Sequence, residues 1–404
     1  MDIQIIISLI IVIGMILFLV YDRKKIQIHG WFPIFYLALY KTTFGLQAME
    51  VPAKKFPRIL QIIGVIGVIT GITGMIYISY EIIRTTIQLF LQPTLAPGVM
   101  LVLPIKAKGI FYVPPLYLLI SLIVIVLVHE YGHGVIARAR NVPILGSGFA
   151  FIALIIPIIP AAFVEPDEKK LSKREPITQL SVSAAGPFFN ILLSLLIIFL
   201  LGFELPGLIP HTITEKTALY DLGGRTTEML TLTDLTITGV TTGSPAEQGG
   251  ITIGEQLTKI NGVPIENKEF TTILSTLQPE QTITITTKTK EHTITTGKRQ
   301  DDATRGWIGV QFEPTTGFTT ETIQKYGETG SNALLSIATL FTWIILLSLG
   351  IGLFNLLPIG PLDGGRILKT ILETITPNNA LKIHYYISAF LFVIIVANIV
   401  AGFV

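Results

Sequence analysis

Long apolar stretches constrain this chain more than any other feature of its sequence. A helix that crosses a bilayer needs about 20 mostly apolar residues. Half of the 404 residues are hydrophobic and 14% are charged, against about 25% charged in an average soluble domain. We therefore expect a polytopic α-helical membrane protein of about six spans. The predicted spans are Ile3–Val20, Ile59–Ile82, Leu116–Ala137, Ile177–Phe203, Leu334–Leu356 and Ile383–Phe403.

Two further apolar segments are poorly suited to crossing. Trp31–Tyr40 is too short and is expected as an interfacial or re-entrant piece. Phe149–Val164 is interrupted by Pro157 and Pro160, which break a helix, and it predicts a re-entrant hairpin.

Clusters of Lys and Arg orient the predicted spans. Cytoplasmic loops carry an excess of these residues, which places the clusters on the cytoplasmic side and both termini outside. We expect a prokaryotic cell membrane as the location, with the lipid bilayer as a partner. No basic stripe interleaves with aromatic residues, so nucleic acid is not expected to bind. The clusters lie at residues 23–25, 54–58, 138–140, 169–174 and 366–382.

The segment 204–330 changes character to threonine, glycine and alternating strand patterns, and is expected outside the membrane. Gly243-Ser244-Pro245-Ala246 opens a short helix, and Asn261-Gly262 predicts a tight turn between two strands. This run resembles a PDZ domain, although Glu255 stands where that family usually has Asp. The resemblance implies an α+β domain that binds a peptide or protein tail by strand addition. A spacer that binds nothing is the alternative.

The peptide-binding loop of the PDZ family has its best match at the end of this run, in a permuted arrangement. By that resemblance, the peptide-binding residues would be Gly306, Trp307, Ile308 and Gly309.

The predicted span at 116–137 contains His129-Glu130-Tyr131-Gly132-His133. Histidines four residues apart share one face of a helix, so both can grip one zinc ion, and the Glu between them can take a proton from a zinc-activated water. Two His and a Glu inside a span are costly without partners. These facts favour a metal site over a polar network without metal.

A catalytic zinc site needs a third protein ligand and an open position. The chain has no cysteine, which leaves His, Asp, Glu and backbone oxygen. Asp363 is the best candidate, in an irregular segment with two prolines just after a span. Taken alone, Asp363 also reads as the N-cap of a helix beginning near Gly364.

The HExxH motif and the downstream Asn-x-x-Pro-x-x-x-Leu-Asp-Gly motif together resemble the site-2 protease family of intramembrane metalloproteases. The second motif matches at Asn355, Pro358, Leu362, Asp363 and Gly364. The segments 161–164 and Gly186-Pro187-x-x-Asn190 resemble further family motifs, as does the position of the PDZ insertion.

The resemblance implies that His129, His133 and Asp363 bind one zinc ion per chain and that Glu130 is the general base. Asn355 would help to hold the substrate strand or the oxyanion, and Asn190 is either a supporting substrate contact or an ordinary helix–helix hydrogen bond. The implied activity is hydrolysis of a peptide bond in a transmembrane helix of a membrane-protein substrate, as in regulated intramembrane proteolysis.

Four domains follow from these assignments. They are N-terminal spans at 1–112, a first catalytic part at 113–203, the PDZ-like domain at 204–330 and a second catalytic part at 331–404. Two other functions stay open. One is a membrane HExxH protease of another clan that cuts outside the bilayer, and the other is a non-catalytic PDZ adaptor.

Overall fold

The structure, a computed structural model, describes the chain except for residues 1–2, 23, 25, 32–34, 44, 93–96, 155, 202–229, 266–267, 300–303, 319 and 404. It divides into two compact units. One comprises residues 1–200 and 339–404, and the other comprises residues 201–338. The start of the predicted PDZ-like segment, residues 204–229, lies outside the described residues.

The helices of the described chain are numbered in chain order. They are α1 (Ile3–Tyr21), α2 (Leu46–Lys55), α3 (Pro57–Leu91), α4 (Pro115–Ala139), α5 (Glu168–Leu171), α6 (Pro176–Leu201), α7 (Pro245–Gln248), α8 (Lys268–Thr276), α9 (Thr320–Asn355), α10 (Asp363–Ile375) and α11 (Ala380–Phe403).

The strands of the described chain are numbered in the same way. They are β1 (Ile26–Trp31), β2 (Phe35–Thr42), β3 (Leu101–Leu103), β4 (Ile110–Tyr112), β5 (Ile144–Leu154), β6 (Ile156–Pro166), β7 (Leu230–Val240), β8 (Gln256–Ile260), β9 (Val263–Pro264), β10 (Thr282–Thr287), β11 (Glu291–Thr295), β12 (Gly297–Lys298), β13 (Gly306–Trp307) and β14 (Val310–Phe318).

Among the described residues, five helices are long and apolar enough to cross a membrane: α3, α4, α6, α9 and α11. The remaining predicted span, Ile3–Val20, corresponds to α1, an apolar helix that is shorter than these five. Prolines begin α3, α4 and α6, at a position where the missing N–H has no intrahelical partner to lose. The protein is therefore a helical membrane protein, and five of the six predicted spans coincide with span-length helices in the described part of the chain.

A cluster of polar contacts joins the ends of α3 and α4 to α6. Arg140 follows α4 directly, and its Nη2 donates to the carbonyl of Gln61 and to Oγ of Ser181, both at 3.2 Å. Gln61 in turn donates to the carbonyl of Ala139 at 2.9 Å. Because these bonds cross between three helices, they fix the end of α4 on which the histidine motif lies.

A four-stranded antiparallel sheet lies beside these helices in the order β1-β2-β5-β6. Its β5–β6 hairpin covers Phe149–Val164, where the sequence predicts a hairpin. The apolar segment Trp31–Tyr40 supplies the end of β1 and most of β2. The strand structure of residues 35–40 depends on β5, a pairing partner more than 100 residues away, so it could not be inferred from local sequence. Strand β6 packs against α4.

The second unit contains an antiparallel sheet in the order β11-β10-β8-β7-β14, with β9 paired to β8. Alternation places Ile283 and Ile285 of β10 in the core between less buried threonines. Asn261 and Gly262 both have positive φ, 49° and 77°, as the tight turn between β8 and β9 requires. Ser244 caps α7 by accepting from the Glu247 N–H.

Glu255, the residue at which the PDZ-like run departs from its family, has a definite structural role. Its carboxylate accepts from Thr252 N–H at 3.0 Å and lies 2.8 Å from Nε2 of His292. Burial alone would raise the pKa of Glu255, but hydrogen bonds from Thr252, His292 and Thr287 outweigh it and lower that pKa to about 2. The ionised carboxylate therefore stabilises this unit.

We expect acid to destabilise the second unit through Glu255. A carboxyl with a pKa of about 2 in the folded state and an ordinary 4.5 when unfolded contributes fully above pH 4.5. That contribution, about 3 kcal/mol, is lost as the pH falls toward 2. The measurement is acid unfolding followed by Trp307 fluorescence, with Trp31 and Trp343 replaced by Phe. Glu255→Gln should remove most of the pH dependence, whereas Glu280→Gln, at an exposed ion pair with Lys298, should not. Equal acid sensitivity of both variants would contradict this role.

Candidate metal centre

His129 and His133 lie one helical turn apart on α4, and their rings converge. The two Nε2 atoms are 3.2 Å apart, as expected for residues four apart on one helix face. Both side chains are about nine-tenths buried. Two imidazoles with their ring nitrogens aimed at one point form the first half of a metal site.

Asp363 supplies the second half. Its Oδ2 lies 3.1 Å from Nε2 of His129 and 3.3 Å from Nε2 of His133. Asp363 is the first residue of α10, whose N-cap is Leu362 and has no side-chain cap hydrogen bond. The N-cap interpretation of Asp363 is therefore wrong, because the carboxylate points at the histidines rather than at the N–H groups of its own helix.

The two glycines after Asp363 allow the chain to fold tightly there. A Cβ on Gly364 would overlap the carbonyl oxygen of Leu356, and one on Gly365 would overlap the carbonyl oxygen of Ile359. The start of α10 therefore lies directly on the backbone that leaves α9. This close approach brings Asp363 next to His129 and His133 of α4.

The three side chains fit a zinc ion. Ligands at about 2.1 Å from zinc in a tetrahedron lie about 3.4 Å from one another, and the three ligand atoms here are 3.1 to 3.3 Å apart. Two nitrogens and one carboxylate oxygen form a usual donor set for catalytic zinc. They leave a fourth position for water or substrate.

Each histidine is oriented by a contact to its other ring nitrogen. Nδ1 of His133 lies 2.7 Å from the carbonyl oxygen of Val182, to which it donates, and this leaves Nε2 free for the metal. Nδ1 of His129 lies 3.2 Å from Nδ2 of the Asn190 side-chain amide. Zinc binding through Nε2 requires the proton on Nδ1, and the amide would then turn to present Oδ1, which has no hydrogen-bond partner among the described residues. Both orienting groups come from α6.

Gly186 on α6 forms the floor of the site. A Cβ at this position would overlap Nε2 of His133 and would lie 2.6 Å from Nε2 of His129. Any side chain at residue 186 would therefore occupy the space where the ligand atoms converge. The Gly186-Pro187-x-x-Asn190 motif contains this glycine, but its role cannot be inferred from the sequence alone, because the approach of α6 to α4 is visible only in three dimensions.

Glu130 lies beside the ligands, and its carboxylate is held by the hairpin. The N–H of Val164, on β6, donates to Oε2 of Glu130 at 2.7 Å. This contact joins the expected general base to the edge of a β-sheet.

The other predicted site residues are Asn190 and Asn355 in the membrane unit and the predicted peptide-binding loop in the second unit. Asn190 is fully buried, and its backbone carbonyl accepts hydrogen bonds from the hydroxyls of Ser194 and Ser348. Its contacts are therefore to His129 and to helix α9 rather than to open space. Asn355 is the partly exposed last residue of α9. In the second unit, Gly306 and Trp307 form β13. The N–H of Gly306 donates to Leu277, and Gly309 has a φ of 84°.

Comparison with known sequences identifies the family. The sequence model of peptidase family M50, the site-2 protease family, matches residues 117–396. The chain belongs to peptidase family M50. The resemblance to the site-2 protease family is thereby confirmed, and the match includes all three converging ligands and Glu130.

Individual relatives of this M50 chain are distant. An uncharacterized protein of Methanocaldococcus jannaschii is 26% identical over 63% of this chain and 57% of its own length. Two proteins named "Putative zinc metalloprotease" also match. The one from Fusobacterium nucleatum is 23% identical over 62% of this chain and 86% of its own length. The one from Streptococcus pyogenes serotype M3 is 26% identical over 49% and 51%. The chain thus spans only about half the length of the first and third of these relatives.

We expect Gly186→Ala to abolish metal binding, because the added methyl group would overlap the histidine nitrogens. Zinc content of the purified chain, measured by mass spectrometry, should fall at least tenfold. Gly350→Ala on α9 is the matched control, since a Cβ there meets nothing within 4 Å. A Gly186→Ala variant that keeps one zinc per chain would show that the ligands converge elsewhere.

Proposed function

We propose that this M50 chain is a zinc-dependent intramembrane endopeptidase. It would hydrolyse a peptide bond within or near a transmembrane helix of a membrane-protein substrate. The observation that carries the proposal is the convergence of His129, His133 and Asp363. The two histidines and Glu130 lie on α4, a helix long and apolar enough to cross a membrane. The names of the two zinc metalloprotease relatives support the choice of metal and reaction.

His129, His133 and Asp363 would hold the zinc. When bound, zinc would activate a coordinated water and polarise the substrate carbonyl. Glu130 would accept the proton from the attacking water and deliver it to the departing amine as the C–N bond breaks. The carbonyl of Val182 would keep His133 in the tautomer that leaves Nε2 for the metal, and the side-chain oxygen of Asn190, once turned toward Nδ1 of His129, would do the same for that imidazole.

The substrate helix must unwind locally before it can be cut, because a helical peptide bond is enclosed by its own hydrogen bonds. Strand β6 supports a route for the unwound segment. It pairs with β5 on one side, and its other edge, near Val164, lies at Glu130. An extended substrate segment would add to this edge as a further strand. Asn355, at the end of α9, would contact the same segment.

Charges near the site support a cytoplasmic placement. Arg138 and Arg140 follow His133 within two helical turns, and basic residues favour the cytoplasmic side of a span. The site would then lie several residues inside the cytoplasmic boundary of a prokaryotic membrane. The second unit would lie on the opposite side, as an inserted PDZ-like domain between the two halves of the catalytic core.

The expected result for Glu130→Gln is a chain that keeps its zinc and loses activity. The amide cannot accept the proton, but it does not remove a metal ligand, so zinc content should stay near one per chain. Cleavage of a transmembrane substrate in proteoliposomes should fall by about 10²-fold to 10⁴-fold. Asp363→Ala is the contrasting variant, because it should lose both zinc and activity. Wild-type turnover by Glu130→Gln would rule out the assigned role, and unaffected zinc and activity in Asp363→Ala would favour a protease of another clan.

The PDZ-like domain would bind an extended peptide tail along β14, which lies at the end of the strand order in the described sheet. The loop Gly306–Gly309 precedes this strand and would receive the peptide's terminal carboxylate. A peptide with a free apolar C-terminus should therefore bind the full chain at least tenfold more tightly than its C-terminal amide, as measured by fluorescence anisotropy. Equal affinities, or no binding of either peptide, would favour a spacer role.

A further inference from the structure

The outer edge of β6 has an unusual pattern of hydrogen-bond donors. Pairing with β5 runs without a shift from Ile152↔Ile159 to Gly146↔Glu165. Alternate residues of an antiparallel strand direct their N–H and C=O groups to opposite sides. The N–H of Val164 points away from β5 and donates to Glu130. Residues 160, 162 and 164 therefore present their backbone groups on the outer side of β6, which does not pair with β5.

Only two of these three residues carry an N–H group. Pro160 has none, which is tolerated because the outer side does not serve the ladder with β5. Ala162 and Val164 each provide one donor, and the donor of Val164 is engaged by Glu130 at 2.7 Å. The edge beside the metal site therefore offers one donor that a substrate strand can use and one that is committed to the catalytic carboxylate.

We infer that the backbone N–H of Val164 is a positioning group for Glu130, an inference that rests on the proposed function. A glutamate side chain has three rotatable bonds, and the helix fixes only where it begins. The hydrogen bond from β6 fixes one carboxylate oxygen and leaves the other to exchange the proton. The same strand would align the substrate, so β6 sets the distance between the base and the bond to be cut.

This arrangement gives neighbouring residues different roles. Loss of the Val164 N–H would free the Glu130 carboxylate and slow the chemical step, with substrate affinity retained. Loss of the Ala162 N–H would remove a contact to the substrate strand and weaken its binding, with Glu130 still held. The side chain of Val164 is not part of the argument, because only its backbone touches the carboxylate.

The test replaces single N–H groups and measures kcat and KM separately. The most direct change is a backbone ester at residue 164, made by incorporating the hydroxy-acid analogue of valine, which removes the N–H and keeps the side chain. Val164→Pro is the genetically encoded counterpart. We expect kcat to fall by at least tenfold in both, with KM within about threefold of the wild type and zinc near one per chain. Zinc content also reports that the site has folded.

Two controls separate positioning from structure. Val164→Ala keeps the N–H and should have a kcat at least tenfold higher than that of the ester. Ala162→Pro matches the proline change two residues away, and it should raise KM with kcat within about threefold. The inference is overturned if the ester at 164 has wild-type kcat, or if Val164→Ala is as slow as the ester. If Glu130→Gln is itself fully active, the proposed function fails first; an inactive Glu130→Gln beside a fully active ester at 164 rejects this inference alone.

Discussion

The structure of the membrane unit depends on bringing one carboxylate to two imidazoles within a largely apolar set of helices. Polar groups at membrane depth are costly unless they find partners, and Asp363, His129 and His133 lie within 3.3 Å of one another. This convergence requires α4, α6 and the start of α10 to approach one another closely. The positions that allow it are Gly186, which has no side chain to occupy the site, and the glycine pair after Asp363.

The contacts around the ligands show how the fold holds this polar centre in place. Helix α6 alone provides the carbonyl of Val182, the amide of Asn190 and the space at Gly186. At the end of α4, Arg140 bonds to both α3 and α6. Each ligand is thus fixed by a neighbour on another helix, since in an apolar medium a misplaced imidazole would find no water to compensate it.

The β-sheet beside the helices brings the outer edge of β6 to Glu130. A sheet edge presents unpaired backbone groups, which soluble proteins usually protect because they invite pairing. Here the edge of β6 faces the helix that carries Glu130, and a proline at residue 160 limits the donors that it offers. The proposed activity needs such an edge, because an unwound substrate segment has backbone groups that require partners at membrane depth.

The sequence by itself determined the local patterns: the apolar stretches, the HExxH spacing, the Asn261-Gly262 turn and the hairpin predicted where Pro157 and Pro160 interrupt an apolar segment. It also singled out Asp363, although the choice between ligand and N-cap was open from the residues alone. Tertiary structure decided that the Asp363 carboxylate lies beside the two histidines, that residues 35–40 form a strand, that α6 approaches α4 at Gly186 and that Val164 contacts Glu130. Local patterns depend on residues that are close together in the sequence, whereas these four features depend on contacts between distant parts of the chain. Those contacts form only when the helices pack and the strands pair.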